Sequence, residues 1–324
     1  MKKHSNDFGN DSVPGLVLRT SIPFMFAQFV NVLYSIVDRI YIGNIPQIGD
    51  VSLAGAGICA PVITLLSSFA TLIGIGGSVL FSMRLGAKDQ EKAKNLLGTS
   101  FSMLLVFSAA LTILFLLLKA PLLQWFGASQ TTFPYANTYI TIYTLGTFFA
   151  LLSMGMNYFI TAQGYPGLGM ATTLIGAVVN IVLDPVFIFL LHMNIAGAAL
   201  ATVLAQLSSC VFVLLTLKQK KMPIPLTLAP IRRSTAVRIL KMGFSPFLIL
   251  ATDSVIIIAL NAVLQHFGGP EYGDTLITCA TIVQSYMLLI TSPMLGITGG
   301  SQPLISFNMG AGKVERIRKI VLCV

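Results

Sequence analysis

The run GMATTLIGAVVNIVLDPVFIFLLHM, Gly169–Met193, is long and apolar enough to cross a bilayer as a helix, which takes about 20 residues. Yet it carries Asn180, Asp184 and Pro185 in its second half. A carboxylate at mid-membrane costs roughly 2.5–3.5 kcal/mol even on the lenient insertion scales, so it needs a use. Asn180 and Asp184 are four apart and share one helix face. Pro185 cannot donate to the helix ladder, so it frees the carbonyl of Ile181 beside the acid and favours a kink there. The segment reads as a membrane span built around a buried acid.

The whole chain agrees. Its 324 residues are 55% hydrophobic and only 10% charged, with a mean hydropathy of +0.84, where a soluble domain would be about 25% charged. The fold class expected is an all-α polytopic membrane protein. Reading apolar runs between polar breaks gives eight spans near 15–43, 52–83, 95–118, 135–162, 167–192, 196–217, 238–265 and 275–307. The N-terminal MKKHSNDFGNDSVPG lacks the apolar core and cleavage site of a signal peptide. Four scattered cysteines, Cys59, Cys210, Cys279 and Cys323, read as buried small hydrophobes. Three histidines with no ligand spacing leave no metal site and no cofactor to expect.

The net charge of +9 does not point to nucleic acid, because 18 of the 20 Lys and Arg gather on one side of the spans. They are Lys2, Lys3 and Arg19; Arg84, Lys88, Lys92 and Lys94; seven in Lys218–Lys241; and Lys313, Arg316, Arg318 and Lys319. Asp50, Glu271 and Asp274 fall on the other side. The positive-inside rule then places the N-terminus in the cytoplasm of a multi-pass cell-membrane protein, with the bilayer as its solvent.

Two stretches echo each other about 223 residues apart. SIPFMF at Ser21–Phe26 resembles FSPFLI at Phe244–Ile249, and GIGGSVLFSMRLGAKDQEKAK at Gly74–Lys94 resembles ITGGSQPLISFNMGAGKVERIR at Ile297–Arg318. Six spans return the chain to its starting side, so the repeat is parallel. The organisation expected is a cytoplasmic tail, 1–14, a six-helix N-lobe, 15–217, a linker, 218–237, and an incomplete C-lobe, 238–324, holding two helices and the start of a third. A complete second copy would need ~120 more residues, so the chain is expected to be a fragment or a truncated product.

Three acids lie in spans: Asp38, Asp184 and Asp253. Asp38 continues a polar stripe of Gln28, Asn31 and Ser35 on one face of the first span. At the helical rise, Asp38 lies ~8 Å, Asp184 ~12 Å and Thr202 ~9 Å below the outer ends of their spans. Two carboxylates, the Asn180 amide and the Thr202 hydroxyl at one depth make an all-oxygen site for Na+ or for a shared proton. Asp253, between Thr252 and Ser254, has no visible partner acid. Pro23 and Pro185 mark expected helix kinks.

The runs NYFITAQGYPGLGMATTLIGAVVNIVLDPVFIF, GAALATVLAQ and YSIVDRIYIG resemble the multidrug and toxic compound extrusion (MATE) transporters, in particular their bacterial multidrug branch, and the resemblance extends from about Leu16 to Val321. It implies a two-lobe bundle of twelve helices that works as a monomer and exports small amphipathic organic cations by antiport with H+ or Na+. The family's N-lobe cation site falls on Asp38, Asn180, Asp184 and Thr202, with the Ala198 carbonyl joining it. Substrate-facing positions fall on Asn31, Asn157 and Gln206. The aromatic and methionine residues Phe148, Phe149, Tyr158, Met154 and Met156 could line a cavity, although packing is the commoner role of such side chains. A flippase for lipid-linked saccharides is the rival transporter, but it would want cationic cavity side chains for pyrophosphate, and Arg39 is the only basic residue read as lying within the membrane rather than at a span's cytoplasmic end. An enzyme is not expected, since His192 and His266 lie at helix ends away from any nucleophile. A truncated chain that only inserts is the remaining alternative.

Overall fold

A computed structural model of the chain describes residues 6–324, apart from some side chains between 261 and 289. Lys2 and Lys3, and the side chains of Glu271 and Asp274, lie outside the described residues. Every described element is a helix or turn, as hydrocarbon surroundings require of a chain that must satisfy its own backbone.

The first helix, α1 (Val13–Gly43), starts with Pro14 in its first turn, where the missing N–H costs nothing, and runs unbroken through Pro23. Next, α2 (Gly49–Gly86) has Asp50 in its first turn and Arg84 in its last, each matching the helix dipole. The third, α3 (Gln90–Trp125), is capped by Asp89, whose carboxylate accepts from the Lys92 N–H at 3.2 Å and pairs with the Lys92 ammonium at 2.8 Å. Those contacts hold the Asp89 carboxyl below the usual carboxylate range.

The run 135–162 is not the single straight span expected. It is two helices, α4 (Phe133–Leu145) and α5 (Thr147–Ala162), bent by 55°. Gly146 sits at the bend with Val203 packed where a side chain would be, so the site of closest contact is also the weakest helix former. Then α6 (Pro166–Pro185) ends at the proline, and Val186–Leu190 follow as a π turn rather than a simple kink. The chain continues in α7 (Asn194–Lys218) and α8 (Arg233–Gly310) and closes with α9 (Val314–Cys323). Within α8 the helix is interrupted at Gly269, φ 61° and ψ −167°, a conformation open only to glycine. The interruption divides α8 where the sequence breaks between its last two apolar runs.

By length and composition, six described helices can cross a membrane, or seven with the bent pair counted as one span. The eighth expected span, 275–307, is helical but runs through the positions whose side chains are not all described.

The largest apolar core lies around α2, where Leu66, Ile73 and Phe81 meet Leu97, Leu104, Leu151 and Phe159. The Phe81 and Phe159 rings pack edge to face at 5.4 Å. Cys59 and Cys210 are buried there as expected, but Cys279 and Cys323 are exposed, in stretches of α8 and α9 whose large apolar side chains, such as Met287 and Leu322, are themselves exposed. The 218–232 connection is also less free than its polarity suggests. Met222, Ile224 and Leu226 are buried, the Ile224 N–H donates to Gln163 Oε1 at 2.9 Å, and Ser102 Oγ donates to the Ala229 carbonyl at 2.8 Å.

The internal repeat reappears as paired contacts. Gly86 sits against the Phe307 carbonyl and Gly310 against the Met83 carbonyl; Gly76 sits against Gly243, and Gly300 against Thr20. Each pair exchanges partners under the 223–224 residue offset. In hydrocarbon such close approach of backbones replaces the hydrophobic driving force available in water. Gly86→Ala and Gly310→Ala should each lower the thermal midpoint of the detergent-purified chain, at a cost of about 1–3 kcal/mol. Gly57→Ala, where nothing lies within 4 Å of the added methyl, should leave it unchanged or higher. Equal midpoints for all three would show that the seam imposes no steric limit.

Candidate functional site

Near the end of α6, Asn180 and Asp184 project from one face and are 1% and 0% exposed. The Asn180 amide donates to Asp184 Oδ1 at 3.3 Å and to Thr202 Oγ1 of α7 at 3.4 Å, both at the long end of the range. From α1, the Asp38 carboxyl group lies against that of Asp184. Two carboxyl groups in that contact need a proton or a cation between them, since two bare charges at that distance repel strongly. Ala198, fully buried, lies one turn before Thr202 on α7.

Three oxygens at this point are buried with no hydrogen-bond partner: Asp38 Oδ1, Asp184 Oδ2 and Asn180 Oδ1. Buried oxygens are almost always paired, so such a cluster is a place suited to an ion or a proton. Among the described residues, no group of three His, Cys, Asp or Glu side chains could hold a metal ion.

The structure adds Tyr139 of α4, which sequence reasoning missed. It is 5% exposed, lies beside Asp38 and reaches the Thr202 side chain. Its ring stacks on Tyr143 with centroids 6.4 Å apart, and Tyr143 in turn lies against Gln206 and Ser67. The signal was present: Tyr135, Tyr139 and Tyr143 recur every four residues, a polar-tipped stripe on one face of α4.

Other expected positions are placed differently. Asn31 is exposed, two turns from Asp38 along α1. The Asn157 amide is spent on the Gly169 carbonyl at 3.2 Å, tying α5 to the start of α6. Gln206 keeps a buried, unpartnered Oε1. Asp253 is exposed on α8, and the structure does not bring it to the acid pair. Both His192 and His266 are exposed.

The MatE family model matches residues 23–186, about half of the chain. Among solved structures, the MATE multidrug transporter DinF-BH in complex with rhodamine 6G superposes with a TM-score of 0.90 and 33% identity, covering 99% of this chain and 71% of that one. The chain belongs to the MATE family of transporters. This MATE chain also superposes on an outward-facing multidrug resistance MATE transporter of the MOP superfamily, with a TM-score of 0.87 and 26% identity over 97% of its length. Its similar relatives include the multidrug export protein MepA of Staphylococcus saprophyticus, 28% identical over 97% of this chain and 69% of the relative. MepA of Staphylococcus haemolyticus is also 28% identical, over 95% of this chain and 67% of the relative. This MATE chain thus spans about two thirds of the length of those proteins.

Asp184→Asn should keep or raise the thermal midpoint in detergent, because it removes a buried charge at constant volume, and functional groups often cost stability. Asn180→Leu leaves Asp184 and Thr202 without their donor and should cost about 1–3 kcal/mol. An equal loss for both variants would make Asp184 a structural acid.

Proposed function

We propose that the chain is part of a multidrug exporter that moves small amphipathic organic cations out of the cell in exchange for an inward-moving proton or Na+. The observation carrying this reading is the buried contact between Asp38 and Asp184, surrounded by oxygens that lack partners. The carboxyl-to-carboxyl contact favours a proton; the three unpartnered oxygens, with Thr202 and the Ala198 carbonyl near, also suit Na+. The names of the MepA relatives and the dye complex of DinF-BH support organic cargo. In this reading the N-terminus is cytoplasmic, residues 15–217 act as the N-lobe, and Asn31 and Gln206 face the cargo path.

Coupling follows from differential affinity. If the ion and the cargo prefer different arrangements of the lobe, each displaces the other's favoured state, and a ligand can shift the equilibrium only by that difference.

The test is extrusion of rhodamine 6G from cells or proteoliposomes carrying the chain, with a proton or a Na+ gradient imposed in turn. One gradient should drive extrusion, and Asp184→Asn and Asp38→Asn should each abolish the driven part while leaving passive leak unchanged. Driven extrusion that survives Asp184→Asn would falsify the acid pair as the coupling site.

A further inference from the structure

The acid pair leaves unexplained why residues 6–12, ahead of the first span, are folded at all. Asp7 builds a turn of its own: its Oδ1 accepts from the Gly9 N–H at 2.9 Å and the Asn10 N–H at 3.2 Å, and its Oδ2 accepts from Asn10 Nδ2 at 2.9 Å. The Asn10 amide, more than any other group, holds the Asp7 carboxyl below its ordinary range, with the Lys313 charge also acting to lower it.

This turn aims the backbone carbonyls of the tail at the second repeat. Asn308 Nδ2 donates to the Phe8 carbonyl at 3.0 Å, Arg316 Nε to the same oxygen at 3.2 Å, and Lys313 Nζ to the Gly9 carbonyl at 2.8 Å. Another Arg316 nitrogen donates to the Asp11 carbonyl. The Phe8 side chain, 4% exposed, packs edge to face on Phe307 at 5.8 Å. It joins Leu16, Val17, Leu304 and Ile320 in a separate small core. On its other side the tail backbone at Asn6 passes over Gly164, the turn between α5 and α6. The tail thus touches both repeats at the end where Gly86 meets Phe307 and Gly310 meets Met83.

We propose that residues 6–12 are a latch that holds the two repeats together at their basic-loop end, and that its release is part of opening that end. A tail serving only to enter the membrane would have no need of a buried aromatic residue and several donors from the other repeat. Charge-assisted hydrogen bonds to backbone carbonyls are strong enough to bias a two-state packing and weak enough to break in each cycle. The latch goes beyond the transport reading, and its test is separable from that reading because the readout is a distance rather than a flux.

The experiment is electron–electron double resonance in nanodiscs on spin labels at Lys94→Cys and Arg318→Cys. These positions are exposed and equivalent in the two repeats. The background is the full chain with Cys279→Ser and Cys323→Ser; the buried Cys59 and Cys210 stay. The chain with its native tail should give one narrow distribution. Phe8→Asp should raise the ratio of long to short distances about tenfold, or ~1.4 kcal/mol, and Asn308→Ala should shift it the same way by less. Size exclusion checks folding; if Phe8→Asp does not fold, Asn308→Ala decides alone. Distributions identical to that of the native tail in every folded variant overturn the latch.

Discussion

Asp38 and Asp184 touch, and inside a hydrocarbon layer that contact can persist only with a positive charge or a proton between them. Much of the surrounding structure follows from arranging it. Asp38 needs a long helix that brings it to the depth of α6, and α1 supplies one without a break. Asp184 must be held on a fixed face, and Asn180 one turn earlier ties it to Thr202 of α7. Pro185 then ends regular helix immediately after the acid, and the π turn at Val186–Leu190 lets the chain reach α7. π turns inside helices recur at functional sites, because they trade helix stability for a changed direction of the side chains.

At the other end of the same helices the governing constraint is steric. The basic-loop end closes through backbone contacts at Gly76, Gly86, Gly300 and Gly310, where any larger residue would overlap a neighbouring backbone. Such contacts have little tolerance, so the seam is either fully engaged or parted. That all-or-none character is what makes packed interfaces bistable rather than continuously deformable.

What the sequence disclosed and what it withheld divide along physical lines. The spacing of Asn180 and Asp184, the stripe ending at Asp38 and the depth of Thr202 were legible because helical periodicity and rise are fixed geometry, and those residues are expensive enough in hydrocarbon to be noticed. The echo of Gly74–Lys94 in Ile297–Arg318 was legible for a similar reason: its glycines lie where backbones touch. Tyr139 was not noticed because a tyrosine in an apolar run is ordinary, and only its neighbours across space give it a role. The bend at Gly146 depends on Val203, far away in sequence. The linker's buried Met222, Ile224 and Leu226 were hidden by the lysines and prolines around them. Asn157 drew attention as a polar group in a span, yet its amide serves a local tie to Gly169.

The two constraints meet in α1. The same helix carries Asp38 near one end and, about 25 Å away at the helical rise, Thr20 and Ser21 against the second repeat, where Ser21 Oγ donates to the Ile297 carbonyl at 3.4 Å. Pro23 lies between them, lacking the N–H that would close the ladder one turn back. A helix so built is stiff over most of its length and weakest beside the seam. A change of occupancy at the acid pair that alters how α1 sits against α6 must therefore be taken up near Pro23 or carried into the Gly300 contact. The ordering of the tail just before α1 fits the same logic. Phe8, packed on Phe307 and sharing a small core with Leu16, Val17 and Leu304, holds the first turns of α1 against the second repeat.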